Sequence, residues 1–162
     1  MARYTSDVFI SWEELHRDCR ALCRTLIERK ESWKRIVAVT RGGLIPAAVV
    51  ARELDIRLVD TICVVSYHGA QAQQQGEADI LEAPPGDGEG CLLIDDLVDT
   101  GRTARAIRER LPKAFFATVY AKPEGRPFTD LCIREIPQTT WIRFPWDTEL
   151  SFAVPLVERK SD

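Results

Sequence analysis

The sequence predicts an α/β fold, a central mostly parallel twisted sheet flanked by helices, and three features carry that expectation. Four apolar runs rich in β-branched residues, at 35–40, 58–67, 91–94 and 115–121, have the length and bulk of buried strands. Two of them run straight into glycine-containing turns that read as helix starts, at Arg41-Gly42-Gly43 and at Thr100-Gly101-Arg102-Thr103. An amphipathic helical pattern precedes the first strand. A chain of 162 residues is long enough for one well-buried domain, 1–162, and short for two.

Each element follows from local chemistry. Val8-Phe9-Ile10 is a short apolar lead-in, and Ser11-Trp12-Glu13-Glu14 has the capping-box form. Leu15, Cys19, Leu22, Cys23, Leu26 and Ile27 then recur at helical spacing, with Arg17, Arg20, Arg24 and Glu28 mainly on the other side. After the strand at 35–40, two glycines permit backbone shapes other residues resist, and Arg41 is placed to meet an anion. An Ala/Val-rich helix continues to about Leu54. The strand at 58–67 is followed by 68–90, which holds Gln-Ala-Gln-Gln-Gln-Gly, a Pro-Pro pair and Gly-Asp-Gly-Glu-Gly without a regular period. A flexible loop is expected there. Gly86, Gly88 and Gly90 precede a strand rather than follow one, which rules out a dinucleotide fingerprint. A helix at 104–111 stops at Pro112, and the strand at 115–121 ends at Lys122-Pro123. A shorter apolar run lies at 131–133. Trp141, Phe144 and Trp146 cluster outside any clear period, where an aromatic can stack on a flat base or cap the core.

Hydrophobic content of 45% and charged content of 29% fit an ordinary globular domain, and a net charge of −3 gives no electrostatic reason to expect nucleic acid. No apolar stretch approaches the ~20 residues of a membrane span. The opening Met1-Ala2-Arg3-Tyr4-Thr5 lacks a signal-peptide core. Cys19, Cys23, Cys63, Cys91 and Cys132 are an odd, scattered set with only His16 and His68 as further soft ligands, so free thiols in a reducing cytoplasm are expected.

The chain is organised around 91–105. Four apolar residues end in Asp95 and Asp96, a short apolar step leads to Asp99, and Thr100-Gly101-Arg102-Thr103 opens a helix. In an open α/β sheet ligands sit outside the carboxyl ends of the strands. The paired acids therefore fall where a polyhydroxylated or metal-bound ligand docks, and the small residues beyond them form a phosphate cradle.

Residues 92–103, Leu-Leu-Ile-Asp-Asp-Leu-Val-Asp-Thr-Gly-Arg-Thr, resemble the phosphoribosyl-pyrophosphate motif of the type I phosphoribosyltransferases. Further segments, Val39-Thr40-Arg41-Gly42-Gly43-Leu44-Ile45-Pro46, Ala51-Arg52-Glu53-Leu54, Gly86-Asp87-Gly88-Glu89-Gly90, Ala121-Lys122-Pro123-Glu124-Gly125-Arg126-Pro127 and Trp141-Ile142 with Pro145-Trp146-Asp147, are similar in order to the xanthine-guanine, bacterial 6-oxopurine salvage branch of that family. Two departures stand out: an acidic loop with no Lys or Arg between Tyr67 and Arg102, and Arg102 itself, where relatives often carry glycine or lysine.

The resemblance implies the family's fold, with a flexible loop at 68–90 and a small C-terminal hood at about 122–155 that binds the base. It implies Mg²⁺-dependent transfer of ribose 5-phosphate from phosphoribosyl pyrophosphate to guanine, xanthine or hypoxanthine, giving GMP, XMP or IMP and pyrophosphate. Phosphoribosyl pyrophosphate would meet Arg41, Gly42, Asp95, Asp96, Leu97, Val98, Asp99, Thr100, Gly101, Arg102 and Thr103. The metal would sit on Asp96, with Asp95 as a second candidate. The purine would meet Asp99, Lys122, Trp141, Ile142 and Asp147, with Asp99 as the catalytic residue at N7. The resemblance also implies a cis Thr40–Arg41 peptide, a homodimer or homotetramer, and a cytoplasmic enzyme with scope for peripheral contact with the inner membrane. A nucleotide-sensing regulator of the same fold would need a basic face, which the net charge opposes. A transferase for another base is disfavoured by Lys122 and the 141–147 segment.

Overall fold

The computed structural model describes residues 4–66 and 78–147. In chain order the elements are β1 (Ser6–Phe9), α1 (Trp12–Glu28), β2 (Arg35–Thr40), α2 (Leu44–Glu53), β3 (Val59–Ser66), β4 (Ala78–Glu82), β5 (Cys91–Val98), α3 (Arg102–Arg110), β6 (Phe115–Ala121), a 3₁₀ turn Arg126–Phe128, β7 (Leu131–Glu135) and β8 (Thr140–Arg143). Six strands form one sheet in the order β4-β3-β2-β5-β6-β7. Every pair in it is parallel except β3–β4. β1 and β8 make a separate parallel pair, in which Val8 lies opposite Ile142.

The continuous apolar runs are explained by burial on both faces. Ile36, Ala38, Leu92 and Ile94 point to one face and pack with Leu15, Cys19, Leu22 and Leu26 of α1 and Ala47 and Val50 of α2. Their alternates Val37, Val39 and Leu93 point to the other, against Ala104 and Ile107 of α3. Each such Leu or Ile contributes about 1.5–3 kcal/mol relative to an exposed position. The capping box is present: Ser11 Oγ accepts the Glu14 N–H, and the Glu14 carboxylate accepts the Ser11 N–H, both at 3.1 Å. Burial pushes the Cys19 thiol up to about 12 and Cys23 up to about 11, so both act as packing groups rather than nucleophiles. No helix among the described residues is long and apolar enough to cross a membrane.

Two expectations need correction. The span 68–90 is not loop throughout, because β4 pairs along the β3 edge through Val64–Ile80 and Val65–Asp79. Only Ile80 of that five-residue strand packs on the core, while Leu81 is exposed, so its hydrophobic signal was too short to register. Residues 68–77, and 148–155 of the hood, lie outside the described residues. Within the hood span, β7 instead completes the main sheet, and β8 stands apart from that sheet with β1 as its partner. The aromatic cluster at 141–146 does have an ordered role: Phe144 and Trp146 stack with centroids 4.8 Å apart, and Phe144 is buried.

One polar tie crosses this core. Tyr120, fully buried on β6, donates its hydroxyl to Asp18 Oδ2 on α1 at 2.8 Å, and Arg17 donates to Asp18 Oδ1 at 3.3 Å. Asp18→Ala removes the acceptor and strands the phenol, so urea denaturation is expected to show a loss of about 1–3 kcal/mol. Adding Tyr120→Phe to it should recover part of that loss.

Candidate active site

β2 and β5 are neighbours in the sheet, but the chain leaves β2 toward β3 on one side and reaches β5 on the other. Their carboxyl ends thus flank the topological switch point, where an open sheet leaves a crevice. The turn after β2 carries a cis Thr40–Arg41 peptide, as expected, followed by Gly42 and Gly43. Gly42 lies so close to β5 that a Cβ there would overlap the Asp96 carboxylate. A Cβ on Gly43 would run into the carbonyl oxygens of Val39 and Ile94. Glycine is required at 43 for the two strand ends to meet, and at 42 for the Asp96 carboxylate to keep its place.

Asp95 is 93% buried and Asp96 partly so. Asp95 Oδ1 accepts the Asp96 N–H at 2.9 Å, and Asp96 Oδ1 accepts the Leu97 N–H at 2.7 Å. Burial, then the charge of Asp96, holds the Asp95 carboxyl well above the usual range. Burial, with a smaller push from the Asp147 carboxylate and against its hydrogen bonds to Asp95 and the Leu97 N–H, raises Asp96 to about 6. Two adjacent desolvated carboxylates resist ionising together unless a cation is near, and a set of hard oxygen donors fits Mg²⁺.

Beyond this pair, Gly101 adopts a φ of 78° and caps α3, leaving the first N–H groups of the helix without intrahelical partners. Its missing Cβ is also needed because the Phe128 ring packs against it. Thr100 and Thr103 are partly exposed beside this turn. Anions are favoured at such a terminus.

Asp99 is the meeting point of three segments. Its Oδ2 accepts from Lys122 Nζ at 3.1 Å and from the Tyr4 hydroxyl at 2.8 Å, while Oδ1 accepts from Gln138 Nε2 at 2.8 Å. Lys122 is 1% exposed, so it is not the solvated lysine that a strand end usually carries. Its backbone N–H is fixed to the Val98 carbonyl at 2.9 Å. Lys122 Nζ stands 4.4 Å from the Tyr4 ring centroid, and that ring meets Trp141 edge-on at 4.8 Å. Ile142 is buried, and Trp141 on the opposite strand face is 39% exposed.

The structure thus brings Gly42, Asp95, Asp96 and Asp147 together, and links Asp99, Lys122 and Trp141 through Tyr4. Leu97 and Val98 form the end of β5 between the acidic groups. Arg41 and Arg102 are exposed at the two strand-to-helix turns. Among the described residues, no hydrogen bond or ion pair joins either to the other site groups. Tyr4 and Gln138 went unnoticed in the sequence. Each sits in a polar stretch, and only the β1–β8 pairing carries them to Asp99.

The raised carboxyls have a thermodynamic consequence. The folded pair keeps a proton that free carboxyls, with pKa values near ~3.9, have already lost. Its contribution to stability is therefore present in full below that value and is lost as pH rises through about 6. Asp96→Asn keeps the Oδ1 acceptor for Leu97 and removes the repulsion. At pH 7.5, without divalent cation, it should gain roughly 1–2 kcal/mol, raising the melting temperature by about 2–8 °C, with little gain at pH 4.

Residues 11–153 match the family model described as "Phosphoribosyl transferase domain". A xanthine-guanine phosphoribosyltransferase of Desulfotalea psychrophila is 59% identical over 93% of this chain and 92% of its own length. Another, from Chromohalobacter salexigens, is 55% identical over 97% and 94%. A solved purine phosphoribosyltransferase from Pyrococcus horikoshii superposes with a TM-score of 0.76 at 26% identity, covering 93% of this chain and all of that one. With its acidic pair, glycine turn and helix-capping loop at the switch point of a mostly parallel sheet, the chain belongs to the phosphoribosyltransferase family.

Proposed function

We propose that this protein moves the 5-phosphoribosyl group of phosphoribosyl pyrophosphate to a 6-oxopurine in purine salvage. The products are GMP, XMP or IMP and pyrophosphate. The observation that carries the reading is the position of Asp99, paired with the buried Lys122 and set between the acidic pair and the start of α3. Sugar, phosphate and base groups of a nucleotide fall on three adjoining parts of one strand-to-helix turn. Relatives at 55–59% identity that carry the xanthine-guanine name support the same acceptor.

In this reading, backbone N–H groups from Thr100 to Thr103 and the threonine hydroxyls take the 5′-phosphate. Arg41 and the Gly42 backbone take the pyrophosphate. Asp95 and Asp96 take the ribose hydroxyls. Asp96, with Asp95 beside it, would hold Mg²⁺, which supplies positive charge and fixed oxygen geometry when bound. The bond from the anomeric carbon to the pyrophosphate oxygen breaks ahead of the new bond to the purine nitrogen, so positive charge builds on the sugar. The residues contribute mainly by positioning and by fixed charge. Asp99 faces N7 and accepts the proton the purine gives up, or fixes the attacking tautomer. Lys122 donates to the 6-oxo group and would be left unpaired by the 6-amino group of adenine. Trp141 stacks on the ring, and the Ile142 carbonyl and Asp147 meet the 2-position. Assembly as a homodimer or homotetramer belongs to the same proposal, supported by the exposed Leu44 and Ile45 at the start of α2. A cytoplasmic setting is supported by five free thiols.

Pyrophosphate release, followed with Mg²⁺, phosphoribosyl pyrophosphate and each base in turn, should occur with guanine, xanthine or hypoxanthine and not with adenine. Turnover with adenine alone would overturn the acceptor assignment. Asp99→Asn should lower kcat by roughly 10²–10⁴-fold while changing GMP affinity far less. Equal losses in both would remove Asp99 from the chemistry.

A further inference from the structure

Tyr4 touches three of the side chains assigned to the purine, Asp99, Lys122 and Trp141. Its hydroxyl donates to Asp99 Oδ2, the same oxygen that takes Lys122 Nζ. Its ring lies under the Lys122 ammonium and meets the Trp141 ring edge-on. A bound oxopurine would ask these groups for an acceptor, a cationic donor and an aromatic neighbour. The phenol satisfies the same three with one hydroxyl and one ring.

The backbone gives this side chain a hinge. Thr5 N–H is bonded to the Thr139 carbonyl at 2.8 Å, and β1 begins at Ser6, locked in register opposite Thr140. Tyr4 is therefore the last residue before a fixed point, and its side chain can rotate away without breaking a strand bond. Gln138 and Lys122, the other donors to Asp99, are held differently. Lys122 is fully buried at the end of β6, and the Gln138 side chain also accepts the Glu124 N–H at 3.0 Å. Tyr4, ahead of the β1–β8 ladder, leaves Asp99 without breaking a bond of that ladder. While in place it adds a second donor to the Asp99 oxygen that pairs directly with Lys122, and lays its ring against the buried ammonium.

We propose that Tyr4 is an internal stand-in for the base. It holds the purine subsite of the base-free enzyme and swings out about Thr5 when a 6-oxopurine or its nucleotide binds. The proposal rests on the assignment of Asp99, Lys122 and Trp141 to the purine. A ligand then binds only the fraction of molecules with Tyr4 displaced, and its apparent Kd is raised by the inverse of that fraction. Phosphoribosyl pyrophosphate, at the β2–β5 crevice and the start of α3, escapes this competition.

Calorimetric titration of GMP, and separately of Mg²⁺ with phosphoribosyl pyrophosphate, into the wild-type chain, Tyr4→Phe and Tyr4→Ala tests this. Tyr4→Ala should bind GMP about 3- to 10-fold tighter and lower the KM for guanine in parallel, with phosphoribosyl pyrophosphate affinity within about twofold of wild type. Tyr4→Phe, which loses only the hydroxyl, should fall between. Weaker GMP binding in Tyr4→Ala would make Tyr4 a base contact and overturn the proposal, as would unchanged affinity in both variants. Trp141→Ala and Lys122→Ala run alongside separate the two levels. If they weaken GMP while the Tyr4 variants fail to tighten it, only the stand-in role is lost. If they leave GMP affinity at the wild-type value, the purine assignment falls with it.

Discussion

The constraint on which the site depends is the approach of the Gly42 backbone to the Asp96 carboxylate, where β2 and β5 end side by side. No side chain fits at Gly42 without displacing Asp96, and none fits at Gly43 without striking the last carbonyls of both strands. Burial beside this turn raises both carboxyls of the acidic pair and drives them toward sharing a proton. A fold optimised for stability alone would place an apolar residue at Asp96. Retaining two carboxyls there costs stability at neutral pH, a cost that a bound cation would offset.

The rest of the site is propped from below by the segment that follows β6. Lys122 N–H bonds the Val98 carbonyl, which aligns the end of β5 with the turn beyond β6. Gly125 then packs so tightly that a Cβ would stand 2.6 Å from the Val98 oxygen and 2.8 Å from that of Asp99. Phe128 closes against Gly101, and Arg105 of α3 lies 5.0 Å over the Phe128 ring. The turn holding Asp99, Thr100 and Gly101 is thus clamped by residues 122–128, which explains why a glycine and a proline-fixed turn recur there without contributing polar groups of their own. Preorganised donors act on developing charge without having to move at the moment of reaction.

What could be read from the sequence follows from how local each feature is. β2, β5 and β6 were visible because helices cover both faces and leave a continuous apolar run. The capping box at Ser11 and the glycine-containing helix start at Gly101 were visible because four or five consecutive residues define them. β4 was not, since an edge strand of five residues with one inward side chain takes its order from β3. The place of β8 outside the main sheet was not, because β1 comes to it from the other end of the chain.

The same distinction divides the site. The acidic pair is local by nature: repulsion strong enough to raise both carboxyls requires them to be adjacent, so Asp95 and Asp96 declare themselves in the sequence. Asp99 is the opposite case. Its charge is met by Tyr4, Lys122 and Gln138, residues 95, 23 and 39 positions away. Neutralising a carboxylate needs donors arriving from several directions in space, and one stretch of chain occupies only one of those directions. Lys122 was found because a strand end marks it. Tyr4 and Gln138 carry no such mark, and the surroundings of Asp99 become complete only when β1 pairs with β8.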